Sequence, residues 1–286
     1  MGQLLRKLQL HQLSILKVID SFCRENKICY SLYAGTLLGA VRHKGFIPWD
    51  DDLDICMERS EYGRFLRLWQ ESAPDGFILQ NKENTPGFAQ SFTKIRKEHT
   101  TYIQETWEAS AYHTGIFVDI FPIDRIPDNK LKRLVFVWDC LQYQLFNREF
   151  IPPKGGAAEK TVSAVLLALV KGRNREKRRS ELLNRITQYD DPNYQTIGIE
   201  TVSTIRKPLP ADMMESYVEL PFEDAEFMWM SGWDKYLSAK FGDYMTPPPE
   251  SERAWKHHPI LLDFEHDYEE LVALNGKVLF PDTATR

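Results

Sequence analysis

The order of apolar and polar positions divides the chain into stretches of different texture. Residues 4–25 read as an amphipathic helix, because Leu5, Leu8, Ile15, Ile19 and Phe22 recur at three to four residues or sums of them. A short apolar strand over 28–34 follows and stops at Gly35; a short helix then begins at Leu37 and ends near Gly45. Residues 53–57 alternate apolar and polar at their start, a strand signal. Ser60 is placed to cap a helix over 61–72. Further strands are predicted at 76–80, 90–96, 100–104 and 115–121.

Beyond Pro127 the period changes. Asp128 is positioned to cap a helix reaching about 149, with Leu131, Leu134, Trp138, Leu141 and Leu145 on its apolar face. The run Pro152-Pro153-Lys154-Gly155-Gly156 ends it, and a second helical stretch occupies 158–189. Strand-like pieces return at 195–199 and 217–223, a helix is expected over 232–240, and Thr246-Pro247-Pro248-Pro249-Glu250 turns into an irregular tail. No internal repeat is visible. The layout predicts an α+β, mixed α/β fold. Its parts are a core at 1–127, a helical insertion at 128–190, and a segment at 191–286 that returns to complete the core.

Composition narrows the class. The 286 residues, 43% hydrophobic and 27% charged, describe a soluble globular chain able to bury a sizeable core. Lys+Arg 36 against Asp+Glu 41 gives a net charge of −5, so no chain-wide nucleic-acid footprint exists. Cys23, Cys29, Cys56 and Cys140 lie far apart without a CxxC pair, which fits neither a disulfide framework nor a zinc site. The N-terminal run MGQLLRKLQLHQL is interrupted by charge and makes no signal peptide. Arg6 stands where a myristoylation start wants Ser or Thr. The longest apolar run, 162–170, falls well short of the roughly 18 to 20 residues of a membrane span. These features point to the cytoplasm.

The chemistry concentrates around residues 50–54, where Asp50, Asp51, Asp52 and Asp54 place four carboxylates in five positions. On a strand, Asp52 and Asp54 project to one face while Leu53 and Ile55 enter the core. Carboxylates that close repel unless a cation lies between them, and oxygen-only ligands suit Mg²⁺ or Mn²⁺. A solvated acidic turn is the plainer reading of the cluster alone. Two neighbours change the balance. Gly35-Thr36 closes a strand and opens a helix, a geometry that can hold a phosphate on backbone N–H groups. Asp119 stands alone in the apolar strand Gly115-Ile-Phe-Val-Asp119-Ile-Phe, where an ionised carboxylate needs a partner or a metal. Together these match a nucleotidyltransferase-like active site, a mixed sheet flanked by helices, in which metal ions bridge phosphates for in-line displacement.

The run GTLLGAVRHKGFIPWDDDLDI, with GIFVDIFPID downstream, resembles the LicD family of phosphocholine transferases, whose broader group includes fukutin and the fukutin-related protein. Phe92-Thr-Lys-Ile-Arg96 and the segment from Tyr236 to Pro249 also resemble family segments, so the likeness covers most of the chain. The resemblance implies metal-dependent transfer of phosphocholine from CDP-choline to a hydroxyl of a cell-surface glycan, a teichoic-acid or lipopolysaccharide precursor that can be lipid-linked, with release of CMP. Related members move ribitol phosphate, and a glycerol analogue follows the same logic. Residue by residue, Asp52 and Asp54 match the metal-binding pair, Asp119 the third acid, and Gly35 and Thr36 the phosphate-facing loop. Asp50 with Asp52 would fit a shorter spacing, but Asp52-Leu53-Asp54-Ile55 alone has the acid-apolar-acid-apolar form.

Around this centre, Arg42, Lys94 and Arg96 are candidate phosphate contacts, with surface ion pairs as the alternative for the last two. A choline headgroup needs an aromatic cage or nearby acids, and Trp49, Trp107, Tyr112, Trp229 and Trp233 are candidates, although aromatic residues at such spacing are more often core. His257 and His258 beside Trp255 could reach the acceptor. Apolar residues 165–170 precede Lys171, Arg173, Arg175, Lys177, Arg178 and Arg179; such a pattern over 158–180 suits peripheral contact with an anionic inner membrane face, as well as a solvated basic helix. The competing classes are nucleotidyl transfer from an NTP, a non-catalytic binding relative, and a glycosyltransferase with a DxD motif. Neither of the last two accounts for three acids together with the upstream Gly-Thr.

Overall fold

The computed structural model describes residues 2–104, 113–148, 156–198, 208–255 and 257–276. Helix α1 spans Gly2–Glu25 and buries Leu5, Leu8, Ile15, Ile19 and Phe22, as its period requires. The strand expected over 28–34 shrinks to β1, Ser31–Leu32, because Ala34 turns into the left-handed region (φ 47°) and starts α2, Ala34–His43. Strand β2, Asp54–Glu58, runs directly into α3, Arg59–Ser72, which needs no Ser60 cap. Then follow β3 (Phe77–Gln80), β4 (Thr93–Lys97), β5 (Thr101–Ile103) and β6 (Phe117–Ile126).

β6 organises a seven-stranded mixed sheet, in which part of the order is β1-β2-β6-β4-β3. It pairs in parallel with β2 and antiparallel with β4. Its far end, Asp124–Ile126, pairs with β7 (Thr196–Gly198), which pairs in turn with β8 (Leu209–Pro210). α1 and α3 pack together under one face through Phe22, Phe65 and Trp69. Tyr62 of α3 reaches Thr93 on that face, opposite the side to which Lys94 points.

Between β6 and β7 lies a group of helices: α4 (Lys130–Arg148), α5 (Ala157–Leu169) and α6 (Arg173–Thr187). The expected second helical stretch is two helices, broken at Gly172, whose φ of 54° no helix accommodates. Asn129, not Asp128, accepts the first free N–H groups of α4, from Leu131 and Lys132, while Asp128 turns to Gln195. These helices close around a small core of their own that includes Phe136, Cys140, Tyr143, Leu182 and Ile186. The face of α4 expected to be inward is the outward one: Leu131, Leu134, Trp138 and Leu141 are exposed, and only Leu145 of that set is buried. α4 is apolar on both sides, so periodicity alone could not choose between them.

After β8, a 3₁₀ turn at Ala211–Met214 leads to the hairpin β9 (Tyr217–Phe222) and β10 (Ala225–Met230), then α7 (Trp233–Phe241). Strand β11 (Leu261–Asp263) pairs with β5, and α8 (Tyr268–Asn275) follows behind a capping box at Asp267. Phe222, Phe227, Trp229, Tyr236 and Leu237 join the main core with α1, β1 and β2. The Met230 N–H donates to Ser31 Oγ at 2.8 Å. The four cysteines are free.

Candidate active site

The sheet register builds the site. Asp54 on β2 is the cross-strand partner of Asp119 on β6, and Asp119 is the partner of Lys94 on β4. Directly opposed residues share a face, so the three form one row across three strands, with side chains about 5 Å apart. Asp52, two residues before Asp54, points the same way. The local backbone is tied down: the Asp54 N–H donates to Thr36 Oγ1 (2.8 Å), Tyr33 N–H donates to the Asp54 carbonyl (3.0 Å), and Asp119 N–H donates to the Leu53 carbonyl (3.0 Å).

Gly35 opens α2 beside this row. A β-carbon there would lie 2.7 Å from Asp50 Oδ2, so glycine alone lets the Asp50 carboxylate come so close. Asp51 is buried elsewhere: its Oδ2 accepts from Tyr102 Oη (2.9 Å), and its Oδ1 lies 3.2 Å from His257 Nδ1.

A cleft of about 540 Å³ lies over Asp50, Asp52 and Asp54, and neither Asp119 nor Lys94 lines it. Gly35, Asp50, Asp52 and Asp54 form part of its lining, together with Arg42, Trp49, Lys240, Phe241, Tyr244 and His257. Burial holds Asp54 well above the usual carboxylate range, and the charges of Asp52, Asp119 and Asp50 push it the same way. Asp52 is raised by burial, then by Asp119 and Asp51; Asp119 is raised by burial in spite of Lys94. Among the described residues no side-chain cation reaches ion-pair distance of Asp52 or Asp54. Asp52 and Asp54 are an oxygen-only pair of repelling carboxylates, a chemistry that fits a hard divalent cation, while one oxygen of Asp119 is taken by Lys94.

Of the expected cations, Arg42 is at the cleft, where its guanidinium donates to the Tyr244 carbonyl (3.1 Å) and is brought down from its usual pKa by burial and by the charge of Arg253. Lys94 is bound to Asp119 at 2.7 Å, with its ammonium 3.3 Å from the Phe117 ring centroid. Arg96 is a correction. It is buried, donating to Gln80 Oε1 (2.6 Å) and to the Gly115 carbonyl (2.7 Å), so it braces strands instead of facing the cleft. Thr36 is likewise buried, and its hydroxyl positions Asp54.

Of the aromatic candidates Trp49 lines the cleft, under the guanidinium of Arg253 at 5.5 Å. Trp229 is buried in the main core edge-on to Trp233, and neither lines the cleft, because β10 turns Trp229 inward. Trp107 and Tyr112 lie outside the described residues.

Sequence reasoning missed Lys240, Phe241 and Tyr244. Lys240 sits at the end of α7, donates to Tyr236 Oη (3.0 Å) and lies 4.6 Å from the Tyr33 ring centroid; desolvation lowers its pKa while Asp54 pulls it up. The signal available was position: all three fall in the segment from Tyr236 to Pro249 already marked as family-like.

Fold and site together define a mixed α/β protein whose central sheet presents a row of acids beside a cleft that Arg42 and Lys240 line. Residues 27–155 match the family described as LicD/FKTN/FKRP, nucleotidyltransferase domain. Over 266 residues, 89% of this chain and 96% of the relative, the sequence is 30% identical to the lipopolysaccharide cholinephosphotransferase LicD of Haemophilus influenzae. An uncharacterised protein of Rickettsia prowazekii is 30% identical over 154 residues, covering 47% of this chain and 56% of its own length. The chain belongs to the LicD family.

Proposed function

We propose that this protein transfers phosphocholine from CDP-choline to a hydroxyl of a lipopolysaccharide or other cell-surface glycan precursor, releasing CMP in a reaction that needs a divalent cation. The observation that carries the reading is the row Asp54–Asp119 with Asp52 beside it, of which Asp52 and Asp54 open onto a cleft that Arg42 and Lys240 also line. The similarity to a lipopolysaccharide cholinephosphotransferase supplies the transferred group and the acceptor class.

Asp52, Asp54 and Asp119 would hold Mg²⁺ or Mn²⁺. That ion would supply charge neutralisation on the diphosphate. The remaining work is positioning, as phosphoryl-type transfers require. Arg42 and Lys240 bind diphosphate oxygens from the α2 and α7 walls, and the α2 N-terminus at Gly35 adds backbone N–H groups. Trp49, Phe241 and Tyr244 offer π-faces to the quaternary ammonium, which cannot donate hydrogen bonds. The acceptor oxygen attacks the phosphorus bearing choline, the bond from that phosphorus to the CMP oxygen breaks, and CMP leaves as the phosphate anion. His257 is suited to take the acceptor proton: its Nδ1 lies 3.2 Å from Asp51 Oδ1, which leaves Nε2 as the acceptor when Nδ1 carries the proton. Asp119 is the alternative base.

The test is an assay with CDP-choline, Mg²⁺ and a lipopolysaccharide acceptor, reading CMP and labelled glycan. Asp54→Asn is expected to lower turnover by about a thousandfold with the circular dichroism spectrum unchanged. Formation of pyrophosphate from CTP, or near-normal turnover by Asp54→Asn, would overturn the reading. CDP-ribitol and CDP-glycerol in parallel separate choline from other alcohols.

A further inference from the structure

Helix α4 carries apolar residues on two opposite sides. Phe136, Cys140 and Tyr143 turn into the insertion's own core. Leu131, Leu134, Val135, Trp138 and Leu141 run along the opposite side, where solvent reaches 75% of Leu131, 68% of Leu134 and 47% of Trp138. α5 repeats the arrangement. Leu166 and Leu167 pack inward, while Val162, Val165 and Leu169 face out, the last 76% exposed. Scattered surface leucines need no explanation, but two neighbouring helices that each hold an ordered apolar stripe to solvent do.

The charge distribution says what covers them. Residues 128–190 carry thirteen Lys/Arg against seven Asp/Glu, a net charge of +6; with −5 for the whole chain, the remainder carries −11. Much of the basic run on α6 is used internally. Arg179 is buried on Glu83, Arg185 pairs with Asp139, and Arg178 with Glu181. Exposed cations of the insertion include Lys130 and Lys132 on α4, Lys160 on α5, and Lys171, Arg173 and Lys177 just beyond. A second copy docking through the same face would set +6 against +6, which opposes a symmetric dimer. An anionic surface attracts this side of the molecule and repels the rest, which fixes the orientation.

We propose that the outward faces of α4 and α5 dock onto an anionic lipid bilayer, with the insertion downward. Leu131, Leu134 and Leu169 enter the acyl boundary, Trp138 sits at headgroup level, and the flanking lysines reach phosphates along their own stems. No helix among the described residues is long and apolar enough to cross a membrane, and the contact proposed is a peripheral one. The proposal concerns helices that contribute no residue to the cleft lining and does not depend on the transfer chemistry.

The experiment is flotation of the full chain with vesicles of phosphatidylglycerol and phosphatidylcholine, against phosphatidylcholine alone, at low and high salt. Wild type should float with the anionic vesicles at low salt and be released by high salt. Leu134→Glu and, separately, the pair Lys171→Glu with Arg173→Glu should each weaken binding by at least about tenfold. Because all three positions are exposed, melting temperatures should not move, which separates lost docking from lost folding. Three results would each overturn the proposal: no flotation of wild type at low salt, binding indifferent to Leu134→Glu, or a wild-type dimer that Leu134→Glu dissociates without any vesicle binding.

Discussion

At the scale of single residues, the acids on β2 and β6 are held at a cost. Asp52, Asp54 and Asp119 keep their protons to higher pH when folded than when unfolded, because burial disfavours the charged form of each and, at Asp52 and Asp54, neighbouring carboxylates add repulsion. The folded chain therefore binds more protons between the ordinary carboxylate value and the raised ones. Stability of the metal-free protein falls as pH rises through that interval and stays reduced above it. Asp54→Asn removes one of these charges without changing shape. It should raise the melting temperature of metal-free protein at neutral pH by a few degrees, roughly, with little effect in mild acid. Thermal melts with chelator at both pH values check this, and an unchanged or lowered melting point at neutral pH would show that Asp54 is not under repulsion.

Two lysines at the site separate structure from binding. Lys94 neutralises Asp119, so Lys94→Met should cost about 3 kcal/mol, the penalty of leaving one member of a buried pair alone. Lys240→Met should leave the melting temperature nearly unchanged and raise KM for the donor. Chemical denaturation and steady-state kinetics distinguish the two. The acids were legible in the sequence because strand alternation needs two positions and a hydrophobic background. The partners of the cations were not. Nothing in Phe92-Thr-Lys-Ile-Arg96 tells that β4 lies beside β6 with Lys94 opposite Asp119, or that Gln80 and the Gly115 carbonyl take Arg96.

At the scale of elements, periodicity located α1, α3 and α7 to within a residue or two, since each has one apolar side or a clear end. It misjudged α4, where apolar residues occupy both sides and the inward set is decided by α6, distant in sequence. The face assignment has a direct test. Phe136→Ala should destabilise by about 3–4 kcal/mol as a cavity in a packed core. Leu131→Ala, one helical face away, should change stability by less than about 0.5 kcal/mol. Urea titrations of both variants give the comparison, and similar losses would mean that the outward stripe is packed against protein. β10 escaped prediction because Ala225–Met230 lacks alternation, being buried largely by the hairpin and by contact with β1.

At the scale of the molecule, the site is assembled from segments far apart in the chain: acids from β2 and β6, a glycine from α2, cations from α2 and α7, and His257 from the tail. The motif near residue 50 announced the chemistry, but the cleft walls were invisible until residues beyond 230 folded back over β1 and β2. That assembly is the central claim. It is tested most directly by calorimetry of CDP-choline and CMP binding, with and without Mg²⁺, on wild type and Asp54→Asn. Saturable binding of both ligands that requires Mg²⁺ and is weakened at least about tenfold by Asp54→Asn is the predicted result. Binding indifferent to metal and to Asp54, or heat from CTP or UDP-glucose alone, would contradict it.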